Sequence, residues 1–407
     1  MKRHFLLISF FISLFTANAQ LAFKNDNVIY NAVFLNEAFR LMDTEKNFLL
    51  LDVRSPGEYA DTSQYTALNI GRLKGAVNID VDAVAGRLNE LTPYKDKPVF
   101  IYCSHSQRSR RISKLLVENG FKKVYNINGG MSLVNELDAK RFPYKTKAHE
   151  IKTNYQNIAS VDAANLINNT PDLVIIDIRS EQAFASKDSL QRNNIGHLRN
   201  AINIPQASFA EKFDTYKIPN SKTVLLYDLQ GSNSMDVVSI LKAKGFTRIY
   251  NLFEGLAAFS CDHAISGQRN QLFTDLPTYK LLDPQAAIAL LNQQPNTVIV
   301  DTRPTEEFEN KSSVVYHNLG RIKNAININS AEALEKFMQQ QNKNQSLLIY
   351  GGMGTDSGAK TSQTLVRNGF MNVSFLTQGL YRFVWATANI EDCKAGRALL
   401  TNHDGLY

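Results

Sequence analysis

Cys103 ends an apolar run, Val99-Phe-Ile-Tyr-Cys103, and is followed by Ser104-His105-Ser106-Gln107, then Arg108 and Ser109. A thiol in a polar loop closed by a guanidinium has the parts for nucleophilic chemistry. The thiolate attacks, while the cation and the loop N–H groups hold the anion that forms. Beyond the loop, Arg110-Arg-Ile-Ser-Lys-Leu-Leu-Val-Glu-Asn-Gly120 has apolar residues at helical spacing and stops at a glycine. The pattern predicts a buried strand, a tight loop and a helix, with Cys103 where the helix N-terminus and the loop amides converge. Such a place favours a thiolate. The competing reading is a buried cysteine acting as a small hydrophobe; the polar loop and its arginine weigh against it. Arg110 and Arg111 follow closely. Three arginines at a helix N-terminus oppose its dipole, and a docked anion would account for the cluster. Ser104, His105, Ser106, Gln107, Arg108 and Ser109 are therefore the candidate substrate-binding residues, and His105 is also a candidate proton carrier.

The elements that must hold this loop occur three times. Phe48-Leu-Leu-Leu-Asp52-Val-Arg54 returns as Leu173-Val-Ile-Ile-Asp177-Ile-Arg179 and as Thr297-Val-Ile-Val-Asp301-Thr-Arg303. Gly71-Arg-Leu-Lys-Gly-Ala-Val-Asn-Ile79 returns from Gly196 and from Gly320, and Asn119-Gly120-Phe121 returns at Gly245-Phe246 and Gly369-Phe370. A period of 123 to 125 residues means three whole domains. Each copy reads as a helix (36–42, 163–168, 284–292), a strand ending in Asp-x-Arg, and the Gly…Ala-x-Asn-Ile turn. A further helix, a strand ending at Tyr102, Tyr227 or Tyr350, the loop and its helix, and a last strand complete it. Continuous apolar strands alternating with helices imply a parallel sheet covered on both faces, an α/β fold with its site at the carboxyl ends of strands. Each copy also carries extra residues before the Gly…Asn-Ile motif (61–70 in the first). Only the first loop has a thiol: Asp228 and Gly351 stand at the cysteine position, and Asn233 and Asp356 at the arginine position. Asp228 could mimic a bound anionic group, though sequence drift is the stronger reading.

The Cys103-x4-Arg108-Ser109 loop resembles the active-site loop of the rhodanese family of sulfurtransferases. Asp52, Arg54, Glu58 and Tyr59 match the family's Asp-x-Arg-x-x-x-Glu-Tyr/Phe motif, as do Asp301, Arg303, Glu307 and Phe308; the second copy has Ala183 for the glutamate. The resemblance covers nearly all of 28–390. It implies three tandem rhodanese-like domains at 28–145, 153–265 and 277–390, the first active and the others inactive, with a tail at 391–407. It further implies a sulfurtransferase in which Cys103 takes sulfane sulfur from a small donor such as thiosulfate. The resulting Cys103 persulfide then passes the sulfur to a thiophilic acceptor such as cyanide, a thiol or a redox protein. No metal or organic cofactor is implied, the persulfide being the only covalent intermediate. Asp52, Arg54 and Glu58 are expected to brace the sheet and loops. Phosphatases and arsenate reductases of this fold use a loop one residue longer, which disfavours oxyanion chemistry. A non-catalytic scaffold or redox sensor is the chief alternative, because two of the three loops lack a thiol.

The rest of the sequence bounds the setting. Met1-Lys-Arg3, an uncharged run over 5–15 and Ala17-Asn-Ala19 describe a signal peptide at 1–19. The expectation is a periplasmic or extracellular protein without a membrane span. Net charge is +7, or +5 without Lys2 and Arg3, with no long basic run; nucleic-acid binding is not expected. Metal-ligand spacing is absent from the sequence. In an oxidising compartment Cys261 and Cys393 form the one pairing that spares Cys103. The closing segment 380–385, with Trp385, is expected to pack on the third domain, and residues 397–407 have no counterpart in the other copies.

Overall fold

The computed structural model describes residues 25–232, 234–352 and 355–401; the segment 1–19 read as a signal peptide lies outside them. The repeated sequence becomes three five-stranded parallel sheets. In the first, the strands run edge to edge as Asn31–Val33, Lys123–Ile127, Pro98–Tyr102, Leu49–Asp52 and Val77–Asn78. Leu50 pairs with Phe100, and Asp52 with Tyr102. Side chains alternate across a strand, so this apolar run feeds two cores. Leu50 and Phe100 pack with Leu35, Phe39, Met131 and Phe142 on one face. Leu49, Leu51, Val99 and Ile101 pack with Ile112, Leu116 and Phe121 on the other. Cys103 belongs to the second core, beneath the helix Gln107–Glu118.

The Asp-x-Arg motif makes the same buried clamp in all three copies. Asp52–Arg54, Asp177–Arg179 and Asp301–Arg303 are ion pairs of 2.7, 2.6 and 2.6 Å, with side chains almost wholly buried. Each arginine also donates to the carbonyl of the motif glycine, Gly71, Gly196 or Gly320, at 2.8 Å. A buried charge survives only if it is paired and hydrogen-bonded, and here both conditions hold. The tyrosines at the repeated strand end, Tyr102, Tyr227 and Tyr350, accept the N–H of Leu73, Leu198 and Ile322. Clamp and tyrosine tie the strand ends to the turn, which fixes where each loop begins.

Three features differ from the sequence reading. The helix expected before the Tyr102 strand is a broken run of short turns over 84–94, where Gly86 and Pro93 interrupt it. The third copy, capped by Ser330, has an unbroken helix at Ala331–Gln340. The segment after Gly396 does have counterparts: Leu400–Thr401 pairs antiparallel with Arg321–Ile322, as His149–Glu150 does with Arg72–Leu73 and Phe273–Thr274 with His197–Leu198. The extra residues form a repeated loop clamped by asparagine. Asn69, Asn194 and Asn318 each accept one backbone N–H through the side-chain oxygen and donate to the same residue's carbonyl, that of Ser63, Asp188 or Ser312. In the second copy this loop reaches the third domain, where the Arg192 N–H donates to Asp356 at 2.7 Å.

Candidate active site

Cys103 lies one residue past its strand and is only 1 % exposed. Its carbonyl accepts the N–H of Met131, and that of Ser104 accepts the N–H of Ser132, so the loop is stitched to the start of the helix Gly130–Glu136. Gly130 has φ +54°, and a side chain there would run into the Cys103 carbonyl. The glycine is required by that close approach.

Arg108 closes the loop. Its guanidinium makes two bonds to Glu58, at 2.6 and 2.7 Å, and one to the Ser104 hydroxyl at 3.0 Å. Burial disfavours the Arg108 charge, but Glu58 and the Cys103 sulfur outweigh it and push its pKa up. Burial likewise pulls the Glu58 carboxyl up, yet Arg108 and the Ser55 cap hold it below its ordinary range. Glu58 thus braces the loop at its mouth, while Asp52 and Arg54 brace the strand end. The arginine cluster also needs correcting. Successive helix residues point about 100° apart, and Arg110 and Arg111 turn away from the loop. Arg110 is buried against Asp26 and Asn128, and Arg111 meets Asp82 at the surface.

The remaining candidates divide. The Ser109 hydroxyl lies 3.7 Å from the Cys103 sulfur and donates to Asn126 at 2.6 Å. His105 sits between the hydroxyls of Ser104 (Nδ1, 3.0 Å) and Ser132 (Nε2, 2.8 Å). Burial is the main force lowering its pKa, which favours the neutral ring. Ser106 precedes the helix with φ +77°. Gln107 is exposed at the first helical position.

The second copy shows what the loop amides can hold. The Asp228 carboxylate, at the cysteine position, accepts the N–H groups of Gln230 (3.0 Å) and Gly231. These correspond to His105 and Ser106, and Gly231 has φ +75° against +77° for Ser106. Asp228 therefore plays a ligand to its own loop, which favours the anion-mimic reading over drift. Among the described residues, no hydrogen bond within the chain takes up the N–H groups of Ser104, His105 or Ser106. In the third copy the hydroxyls of Thr302, Thr355 and Ser357 surround the place where a Gly351 side chain would stand.

The three loops converge. His105, Leu229 and Thr355, one from each, line a cavity of about 330 Å³ together with Tyr381 and Trp385. Trp385 packs in the third core as expected, and its Nε1–H also crosses to the first domain and donates to the His105 carbonyl at 3.2 Å. Sequence reasoning gave Trp385 no place at this loop, and it missed Ser132 and Asn126, which bond His105 and Ser109, and Asn389, which bonds the Gly129 N–H. All three cysteines are free and buried, so the Cys261–Cys393 pairing is not made. Burial is the main force raising both thiols, Cys393 to about 12. Among the described residues, Asp262, His263 and Asp283 come close enough to share a cation. Their carboxylates already serve helix ends, Asp262 capping Ala264 and Asp283 capping Ala286. Among the described residues, no helix is long and apolar enough to cross a membrane.

Comparison with known proteins agrees with this architecture. A sulfurtransferase of Allochromatium vinosum is 33 % identical over 92 residues, which is 23 % of this chain and 75 % of that protein. The thiosulfate sulfurtransferase GlpE of Coxiella burnetii is 30 % identical over 105 residues, 25 % of this chain and 85 % of its own. An uncharacterized protein of Bacillus subtilis, YqhL, is 38 % identical over 81 residues, 20 % of this chain; the match spans 56 % of that relative. A crystal structure of thiosulfate sulfurtransferase from Pseudomonas aeruginosa aligns over 84 % of this chain and 66 % of its own, at 14 % identity and a TM-score of 0.23. The rhodanese-like domain family matches residues 35–136, 160–261 and 283–385, one segment on each sheet. With three matches that take up most of its length, the chain belongs to the rhodanese-like family.

Proposed function

We propose that this protein is an exported sulfurtransferase whose chemistry is done by the first domain alone. The Cys103 thiolate attacks the outer sulfur of thiosulfate, the S–S bond breaks, and sulfite leaves with the electron pair. A persulfide donor reacts in the same way and leaves as a thiolate. The product is a Cys103 persulfide anion held by the His105 and Ser106 N–H groups, while Arg108 receives the leaving anion. A thiophilic acceptor (cyanide, a thiol or a reduced redox protein) then takes the outer sulfur and regenerates the thiolate. The neutral His105, between two hydroxyls, can take a proton from an incoming acceptor thiol. The observation that carries this reading is Asp228. The same loop, built with a carboxylate, wraps two amides around a negative charge, and the first copy puts a thiol there with an arginine at its mouth. The charged start, apolar run and small-residue site of residues 1–19 support export.

The test is the intact mass of the mature protein after incubation with thiosulfate. The expected gain is one sulfur atom, about 32 Da on the activated thiol, removed by cyanide and absent in Cys103→Ser. No gain with reduced cysteines would move the reading to a non-catalytic scaffold, which the two thiol-free loops would then explain.

A further inference from the structure

The helix Gly379–Asn389 belongs to the third domain, yet its polar atoms are spent on the first. Trp385 donates its indole N–H to the His105 carbonyl. Four residues on, Asn389 is fully buried; its side-chain oxygen accepts the Gly129 N–H at 3.0 Å and lies 3.4 Å from Arg110 Nη1. The Gly129 N–H also reaches the Ser106 hydroxyl at 2.6 Å, and the Asn389 amide donates back to the Trp385 carbonyl. Arg382, one turn before Trp385, pairs with Glu136 of the first domain at 2.5 Å and lies 4.2 Å from the Trp385 ring. One helix face thus grips both the first loop and the turn beneath it.

What that grip acts on is the peptide between His105 and Ser106. A trans peptide is planar, with C=O and N–H on opposite sides. Drawing the His105 carbonyl toward Trp385 turns the Ser106 N–H the other way. In the second copy the equivalent N–H, that of Gly231, faces the carboxylate at the cysteine position. Gly231 adopts φ +75° freely, whereas Ser106 holds +77° with a side chain. A non-glycine residue there is strained and persists only when its surroundings over-determine it.

We propose that Trp385, supplied by the thiol-free third domain, is a positioning residue for the Cys103 loop: it fixes the His105–Ser106 peptide so that the Ser106 N–H faces the sulfur. This rests on the sulfurtransferase reading for its purpose, but its test does not need sulfur transfer. Trp385 is the chain's only tryptophan, so the full-length protein can carry benzothienylalanine there, which keeps the bicyclic shape and lacks the N–H donor. The readout is the rate of Cys103 alkylation by iodoacetamide against pH, in a Cys261→Ala/Cys393→Ala background.

The expected result is an upward shift of the profile by about one pH unit, the scale of one weakened hydrogen bond to a charged group. Ser106→Gly in the same protein should recover part of that shift, because glycine needs no holder at positive φ. Trp385→Phe provides a second donor-free variant, and its profile should move the same way. Profiles that coincide with the tryptophan protein, in samples with matching melting temperatures, would overturn the proposal. Failure of the native protein to load sulfur, with the profile shift intact, would remove the sulfurtransferase reading and leave the positioning role standing.

Discussion

Asp228 and Cys103 occupy the same place in two loops of nearly equal backbone shape, and the difference between them is one of permanence. A carboxylate is always an anion at neutral pH, whereas a thiol becomes a bound sulfane anion only after reaction. The Asp228→Ala variant should therefore lose about 1–3 kcal/mol, the cost of leaving loop donors unsatisfied. Sulfate should restore part of the loss in thermal melts, because it returns an anion to the same amides. At the first loop, Glu58→Gln removes the charged partner of Arg108. Its expected effect is a drop in kcat/KM for the sulfur donor of about tenfold or more, one charge-assisted hydrogen bond at the mouth. The pair's contribution to stability also has a pH signature. Glu58 titrates below its ordinary 4.5 in the folded chain, so its contribution is present above 4.5 and is lost as pH falls through the folded value. The melting-temperature gap between the native protein and Glu58→Gln should be full at pH 7 and close in acid. Much of this residue-scale picture was legible: Cys103, Arg108 and the missing thiols stand at fixed offsets in a repeated pattern. Glu58 at the mouth was not, because fifty residues separate it from Arg108 and nothing local pairs them.

At the scale of elements, regular pieces were readable and short ones were not. The first helices appear close to where apolar spacing placed them, at Leu35–Thr44, Ser160–Asn169 and Pro284–Gln293. The two-residue strands that close each domain carry no periodicity, which is why the counterpart of Leu400–Thr401 was invisible in sequence. The closing helix was placed correctly against the third domain, but its second neighbour was missed. Its apolar residues, Leu380 and Phe383 among them, do pack in the third core, and that signal hides a second face turned to the first domain. The asparagine-clamped loops had no account in sequence; in the second copy the loop supplies an N–H to Asp356, at the arginine position of the third loop. With an aspartate where the first copy has Arg108, that position receives a backbone N–H.

Across the whole molecule, the junctions carry charge. His263, near the end of the second domain, bonds through Nδ1 to Asp283, the cap of the third domain's first helix, at 2.6 Å. That bond raises the His263 pKa above its ordinary 6.5 against the opposing effect of burial. The histidine's contribution is therefore full below 6.5 and is lost as pH rises through the folded value. Burial raises the Asp283 carboxyl, but His263 and the helix N–H groups outweigh it and bring it below 3.8. Its contribution holds above 3.8 and fails in stronger acid. The expected window for the pair runs from about pH 4 to the histidine's raised value. Comparing thermal melts of the native chain and His263→Gln should show the largest gap near pH 5.5 and a shrinking one in mild alkali.

The carboxylate of Asp228 also sets how the chain responds to its surroundings. A ligand that binds only the folded state adds stability in proportion to the logarithm of its free concentration. The second domain has its ligand covalently built in, so that increment is constant. On the proposed function, the anion in the first domain changes from a thiolate to a persulfide when Cys103 is loaded, so its share of stability changes with sulfur supply. Melting of the chain would then gauge sulfur supply, read through one domain and referenced against its neighbour.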